Sequence, residues 1–359
     1  MVELSSENMA SLYKSLIAKF CNSLWPFVDS QRHIFSIQLD ITNACNLSCT
    51  HCYHGHHKNS GALSFTEWVE ILDQYEHLVR KLCMIPRMTI CGGEPLVCSY
   101  LFPMLENIRS RFDDCELNIL TNGTLVTSES ASLFRTYNAR LQVSFDGPDA
   151  ERNDLIRGKG SFEKAIRGSR HLVENNVPFH HLAVLSHRTA QWIPDFFYLL
   201  PRQTGANAMN FVRLIAEGHA KLLQQCGHDH PLEGVKLKEA MELILACSKN
   251  TGVPTATSGP LWHLIDSSLG SPNNIGMSGL VVGYKGEFKV SSRTSITLGN
   301  ILREGMEKIF FTDPIMEKLR TGDIEGCGDC IDFKRCRGER NASFAAYGHF
   351  FGRDPGCWR

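Results

Sequence analysis

Three cysteines within eight residues, Cys45, Cys49 and Cys52, constrain this chain more than any other feature. Their C-x3-C-x2-C spacing puts three thiolates on one short loop. Such a set can hold three corners of a cubane iron–sulfur cluster. The fourth iron then lacks a protein ligand and is open to a substrate or cofactor. A cluster that only carries electrons normally brings a fourth cysteine. A zinc site is the competing reading, although zinc usually takes two C-x2-C-like pairs that close a tetrahedron. Scattered buried thiols are a third reading.

Composition narrows the context. A length of 359 residues corresponds to roughly two domains. With 43% hydrophobic and 21% charged residues, the chain has the make-up of a soluble globular protein. Its formal net charge of −1 gives no broad electrostatic footprint for nucleic acid. No apolar run approaches the roughly 20 residues of a membrane span. The N-terminus carries Glu3 and Glu7, lacks a basic start and does not read as a signal peptide. Fourteen cysteines without a secretory signal point to metal ligation in a reducing cytoplasm rather than to disulfides.

Hydrophobic periodicity supplies the fold class. Apolar positions near helix spacing predict a helical segment over 1–32. Alternation from His33 to Thr42 predicts a first strand that delivers the cysteine loop at its C-terminal end. Ser64 and Glu67 form a capping box for a helix running to about Leu82. Further strands are expected over Arg87–Cys91, Cys115–Leu120, Leu141–Phe145, Phe179–Leu185 and Ala208–Val212. Helical stretches such as Ser161–Glu174 fall between them. Strands alternating with helices argue for a parallel α/β sheet, and every polar or glycine-rich motif follows a strand, where such folds bind their ligands.

After about residue 220 the pattern changes. A helix over Lys236–Lys249, a loop over Ser258–Ser278, strand-like runs at Gly279–Tyr284 and Glu287–Ser291, and a helix over Gly305–Leu319 lead to a cysteine-rich tail. The expected division is an N-terminal helical segment 1–32, a core barrel 33–220, a linker helix and loop 221–278, and a small cysteine-rich, metal-binding domain 279–359.

Gly92-Gly93-Glu94-Pro95 ends the second strand. Glycines let backbone approach a ligand closely, and exposed amides with a carboxylate suit a zwitterion. Alone, the string reads as a turn. About forty residues after the three cysteines, on the next strand, it completes a pattern. Together these motifs resemble the radical S-adenosylmethionine (radical SAM) superfamily. The resemblance implies a partial (β/α)6 TIM-like barrel. It also implies a [4Fe–4S] cluster on Cys45, Cys49 and Cys52 that chelates SAM and, once reduced, cleaves it to a 5′-deoxyadenosyl radical that abstracts a substrate hydrogen atom. Gly92, Gly93, Glu94 and Pro95 then match the motif that contacts the amino group of SAM. Tyr53 matches the aromatic that lies against adenine. Asn122, within Thr121-Asn122-Gly123, matches a conserved turn after the third strand. Ser144 and Arg157, with Arg167 as the alternative arginine, are the residues expected at the SAM carboxylate.

The tail supplies a second set, Cys327, Cys330, Cys336 and Cys357, the last one twenty-one residues after the third. Four cysteines can close a cluster with no open iron; a zinc knuckle is the alternative. This run resembles the SPASM/twitch-type extension of peptide-maturing radical SAM enzymes. The chain departs from a full SPASM pattern: residues 289–310 carry no cysteine, and Glu339 or Arg340 stands where another ligand would fall. One auxiliary [4Fe–4S] cluster is therefore expected.

The remaining cysteines, 21, 83, 91, 98, 115, 226 and 247, read mostly as buried small hydrophobes, with Cys91 a candidate hydrogen-atom donor. His51, His54, His56 and His57 read as a solvated polar loop. Asp, Glu and Tyr residues between 180 and 300 are unranked acid–base candidates, and the catalytic residue is not identified. The resemblance points to oxidative modification of a ribosomally made peptide. The alternatives are a sugar or aminocyclitol dehydrogenase or epimerase, or tetrapyrrole side-chain modification. Expected partners are the peptide or small-molecule substrate, a separate leader-peptide-binding protein, and an electron donor such as flavodoxin or ferredoxin, with no nucleic acid and no membrane. The expected location is the cytoplasm. A redox-sensing scaffold is the non-enzymatic reading, and the SAM-type motifs argue against it.

Overall fold

The strands of the barrel carry two rows of side chains with different surroundings. In β1 (Ile34–Thr42), Phe35, Ile37, Leu39 and Ile41 are buried in the hydrophobic core, while Gln38 faces a cavity. The computed structural model describes residues 34–55, 57–113 and 115–359. The helical segment expected over 1–32, Cys21 and His56 lie outside the described residues.

The buried row packs beneath helices. The first, α1 (Phe65–Leu82), opens on the capping box of Ser64 and Glu67 and buries Trp68, Ile71, Tyr75 and Leu78. The Tyr75 hydroxyl donates to the Phe35 carbonyl at 2.6 Å, which pins α1 to β1. Each such apolar side chain removed from water contributes about 1.5–3 kcal/mol. The chain continues through β2 (Ile85–Gly92), α2 (Leu101–Arg111), β3 (Glu116–Thr121), α3 (Ser128–Thr136) and β4 (Arg140–Ser144). It then runs through α4 (Ala150–Arg157), α5 (Ser161–Glu174), β5 (Phe179–Leu185), α6 (Ile193–Tyr198) and β6 (Met209–Arg213).

Strands β1 to β6 pair in sequence order, every pair parallel. Residues from β1, β3, β4, β5 and β6 line one cavity, so the sheet curves around it. In the strand order β6 is an end, not bonded to β1, so the barrel is open. Residues after helix α7 (Gly234–Thr251) cover that edge: the Met209 amide donates to Pro254 O at 3.0 Å, and the Ala256 amide donates to Asn210 Oδ1 at 2.8 Å. Covering an edge strand in this way blocks pairing with other chains. The expected linker helix thus packs on the barrel against α6.

The C-terminal part extends the same sheet. Strand β7 (Gly279–Val282) pairs parallel with β1 on the side away from β2. It turns through Lys285 and Gly286 into antiparallel β8 (Glu287–Lys289), followed by β9 (Gly299–Asn300). The helix expected over 305–319 is two helices, α8 (Met306–Thr312) and α9 (Pro314–Thr321). The break lies at Pro314, which has no N–H to continue the ladder, and Asp313 caps the new helix by accepting from the Ile315 and Met316 amides. Phe310 of α8 packs edge-on against Phe35 at 5.2 Å, so barrel and C-terminal part share one core.

Candidate active site

The cysteine loop is fixed at both ends by main-chain bonds. The Gly93 amide donates to Thr42 O at 2.8 Å and the Glu94 amide to Ala44 O at 2.9 Å, which tie the exit of β2 to the exit of β1. At the far end, the His219 amide donates to Cys52 O at 2.8 Å, and the Thr50 amide donates to Ile156 O of α4 at 2.9 Å. These contacts explain the glycine pair. A Cβ on Gly92 would stand 2.2 Å from Thr42 O, and one on Gly93 would stand 2.2 Å from Ala44 O. Gly92 also has φ +130°, which side-chain-bearing residues rarely adopt.

Held in this way, Cys45, Cys49 and Cys52 line a single cavity of about 350 Å³, within the size range of small-molecule sites. Also lining it are Tyr53, Gly92, Gly93, Asn122, Ser144 and Arg157. The sequence placed these residues on four separate strand ends, and the fold brings them together. The exposed Arg167, the alternative to Arg157, does not reach the cavity.

Two motif residues depart from expectation. Glu94 and Pro95 are buried and do not line the cavity. The Glu94 carboxylate accepts from Thr121 Oγ1 at 2.7 Å, from the Asn122 amide at 2.7 Å and from the Leu96 amide at 3.2 Å. It is therefore a brace between the second and third strand exits, not a group facing a ligand. Burial pushes its pKa up, and the three donors oppose that. The amides of Gly93 and Glu94, expected to be exposed, are bonded to the cysteine loop. Pro95 begins a single 3-10 turn beneath Glu94.

Asp146, two residues beyond the end of β4, is fully buried and gathers partners from the cysteine loop, α4 and β5. His51 Nε2 lies 2.7 Å from its Oδ2, Arg157 Nε lies 2.6 Å from the same oxygen, and the Val184 amide donates to Oδ1 at 2.8 Å. Burial works against the carboxylate, but Arg157 and His51 outweigh it and hold Asp146 well below the usual carboxylate range. Arg157 is therefore fixed as a cation at the cavity wall. Burial pushes the Cys49 thiol up to about 11, and Arg157 pulls it back. His54 Nε2 lies 3.1 Å from Gly92 O, and His51, His54 and His57 all line the cavity. The solvated-loop reading of these histidines is thus corrected. Sequence reasoning missed the His51–Asp146–Arg157 cluster because its members lie up to 106 positions apart and meet only through the sheet.

The other calls sort plainly. No Asp, Glu or Tyr between 180 and 300 lines the cavity among the described residues. Cys91 is buried at the cavity with its Sγ 3.9 Å from the Tyr53 hydroxyl, and burial pushes its thiol well up. Cys115 and Cys247 are buried, Cys98 is half-buried, and Cys83 and Cys226 are exposed. Cys83 ends α1 as a left-handed cap, φ 52°. The cysteine-free stretch after β8 contributes Ser292 and Arg293 to the cavity wall.

Cys327, Cys330, Cys336 and Cys357 line a second, smaller cavity of about 30 Å³, together with Asp354. Arg353 Nη2 lies 3.7 Å from Cys357 Sγ, and the Gly338 amide donates to Cys336 Sγ at 3.4 Å. The two cavities are joined by one ion pair. Arg213, on the wall of the first, makes a two-pronged bond of 2.9 Å and 2.9 Å to Asp354 on the wall of the second. Planar arginine–carboxylate forks of this kind fix orientation as well as charge.

The loop thiols Cys45, Cys49 and Cys52 fit the open-iron cluster of the matched family. The Leu47 amide points at Cys45 Sγ at 3.4 Å, and such N–H···S bonds stabilise ligating thiolates. Among the described residues no three His, Cys, Asp or Glu side chains converge on a single metal ion. A cubane's thiolates bind separate irons at separate corners and have no need to converge.

Comparison with known proteins agrees with this geometry. Residues 39–200 match the radical SAM superfamily model. The chain is 24% identical over 346 residues to the AdoMet-dependent heme synthase of Nitratidesulfovibrio vulgaris, covering 89% of this chain and 91% of the relative. It is 27% identical over 332 residues to the mycofactocin maturase MftC of Mycobacterium tuberculosis, covering 89% and 81%. The solved structure of anSMEcpe with bound AdoMet and the Cp18Cys peptide shares the fold with a TM-score of 0.70 at 21% identity, covering 90% of this chain and 94% of that one. No helix among the described residues is long and apolar enough to cross a membrane. A [4Fe–4S] cluster and SAM are the cofactors of the matched family. Residues 39–200 thus carry a radical SAM domain, and the chain is similar over 89% of its length to radical SAM enzymes.

Proposed function

We propose that this enzyme oxidatively modifies a ribosomally made peptide. The observation that carries the reading is a single cavity joining the three-cysteine loop, the Gly92–Gly93 exit and the cation of Arg157 to open wall from β5 and β6. Cys45, Cys49 and Cys52 would each hold one iron. Arg157, kept charged and oriented by Asp146, and Ser144 would receive the SAM carboxylate. The Gly92–Gly93 backbone would approach the amino group, and Tyr53 and Asn122 would flank the rest of the cofactor. When bound and reduced, the cluster and SAM supply a 5′-deoxyadenosyl radical that takes a hydrogen atom from the substrate. The apolar wall of Leu182, Val184, Val212 and Leu214 keeps water from that atom.

Cys327, Cys330, Cys336 and Cys357 would hold one auxiliary [4Fe–4S] cluster, an acceptor for the electron that oxidation releases. The division into segments 1–32, 33–220, 221–278 and 279–359 serves this plan, with the last carrying the auxiliary site against the barrel. MftC and the peptide complex of anSMEcpe support a peptide substrate. A leader-peptide-binding protein and a flavodoxin or ferredoxin would be the partners, in the cytoplasm. The heme synthase relatives favour a second reading, a tetrapyrrole side chain as substrate.

Anaerobic protein reconstituted with iron and sulfide, then reduced with dithionite in the presence of SAM, is expected to form 5′-deoxyadenosine. The Cys45/Cys49/Cys52→Ala variant is expected to form none. Intact clusters without SAM cleavage would sink the enzymatic reading. Oxidised product from a co-encoded short peptide, against none from a tetrapyrrole carboxylate offered with and without iron, decides between the two substrates.

A further inference from the structure

Three cations line the main cavity, Arg157, Arg213 and Arg293, and no Asp or Glu lines it among the described residues. Two of the three are matched from behind by buried carboxylates. Arg157 has Asp146 at 2.6 Å, and Arg213 has Asp354 at 2.9 Å. Arg293 is matched more loosely, by a carboxylate that stands 3.7 Å away. Its Nη1 is buried without a hydrogen-bond partner. Its Nη2 has only Glu339 at 3.7 Å, beyond hydrogen-bond reach. Glu339 is itself engaged at the start of α10 (Arg340–Tyr347), where its Oε1 accepts from the Asn341 amide at 3.2 Å and from the Asn341 side chain at 2.8 Å.

A buried guanidinium nitrogen with no acceptor is costly unless a ligand supplies one. The guanidinium fork suits a carboxylate in a two-pronged bond. The reading above gives the SAM carboxylate to Arg157 on the β4 side, which leaves Arg293 for a second anion. Arg293 reaches the cavity from the segment after β8, beside β7 and β1. We propose that Arg293 is the substrate-recognition residue of this cavity and binds a carboxylate of the peptide, either its C-terminus or an acidic side chain. Ser292, also on the wall, is hydrogen-bonded to the Tyr53 side chain and so links the Arg293 segment to the cysteine loop. This inference rests on the reading above for its peptide ligand and for the placement of SAM at Arg157.

The test maps phenylglyoxal labelling of arginines in the reconstituted, SAM-loaded holoenzyme by peptide mass. The protectants are propionate, propionamide and three hexapeptide pools: acid-free with a free C-terminus, acid-free and amidated, and amidated with one Asp. The expected result is labelling of Arg293 that propionate and one of the two anionic pools lower at least fivefold, while propionamide and the neutral pool do not. The protecting pool identifies the source of the carboxylate. Arg293→Lys should keep part of the binding of that pool and Arg293→Gln should lose it at least tenfold. Equal protection by neutral and anionic probes, or labelling indifferent to all of them, overturns the proposal. Protection by propionate with none from any peptide pool would keep the anion site and overturn the peptide reading instead.

Discussion

Asp146 is the residue on which the cofactor side of the cavity turns. It holds Arg157 from below, it is wholly buried, and its charge is kept by Arg157 and His51. Removing one partner of such a buried pair costs about 3–5 kcal/mol, because the other charge is left uncompensated. Asp146→Asn is therefore expected to weaken SAM binding at least tenfold in equilibrium dialysis with the cluster still assembled, and unchanged affinity would refute the assigned role. Asp40 behaves in the opposite sense. Burial among apolar neighbours pushes its pKa up to about 6, opposed by the Gln38 side chain at 2.8 Å. The folded state thus binds this proton more tightly than the unfolded chain, and the carboxylate costs stability as pH rises from about 4 to 6. Asp40→Asn should stabilise the protein by about 2 kcal/mol at pH 8 and by nothing at pH 4. Thermal melts at the two pH values check the sign.

At the scale of elements, the Gly92–Gly93 exit is where two strands meet most closely. Gly93→Ala places a methyl carbon 2.2 Å from Ala44 O, so β2 and the cysteine loop have to separate. Cluster incorporation at the first site is expected to fall at least severalfold, read as loss of the iron charge-transfer band, with the tail site unaffected. The strands themselves were legible: alternating apolar residues located all six barrel strands to within about two residues, and the Ser64–Glu67 box set the start of α1. The helix over 305–319 was drawn through Asp313 and Pro314, though the pair is a stop and a cap in itself. What local pattern could not carry was long-range pairing. Nothing in Gly279–Val282 announces that it lies beside β1, and nothing in Glu94 announces that Thr121 and Asn122 claim its carboxylate. The cysteine spacing located the site because its members are neighbours in sequence; the His51–Asp146–Arg157 cluster and Arg293 are not, and only the fold assembles them.

At the scale of the whole molecule, β7 to β9 extend the barrel sheet, and the Arg213–Asp354 fork joins the barrel cavity to that of the cysteine-rich tail. Asp354 also accepts from the Glu339 and Gly356 amides, so it orders the tail around Cys357. Arg213 holds the Asp354 carboxyl below the usual carboxylate range, against the effect of burial. Arg213→Met and Asp354→Asn should each destabilise by about 3 kcal/mol, and the double variant by less than their sum, as expected for one desolvated pair. Chemical denaturation with a double-mutant cycle measures that coupling; strict additivity would separate the two cavities. The central claim is that one chain holds a SAM-binding cluster in the barrel and a second cluster in the tail. The most direct measurement is iron and sulfide content of anaerobically purified protein beside the Cys45/Cys49/Cys52→Ala variant. About eight irons falling to about four is the predicted result. About four falling to none, with zinc in the tail, would contradict it.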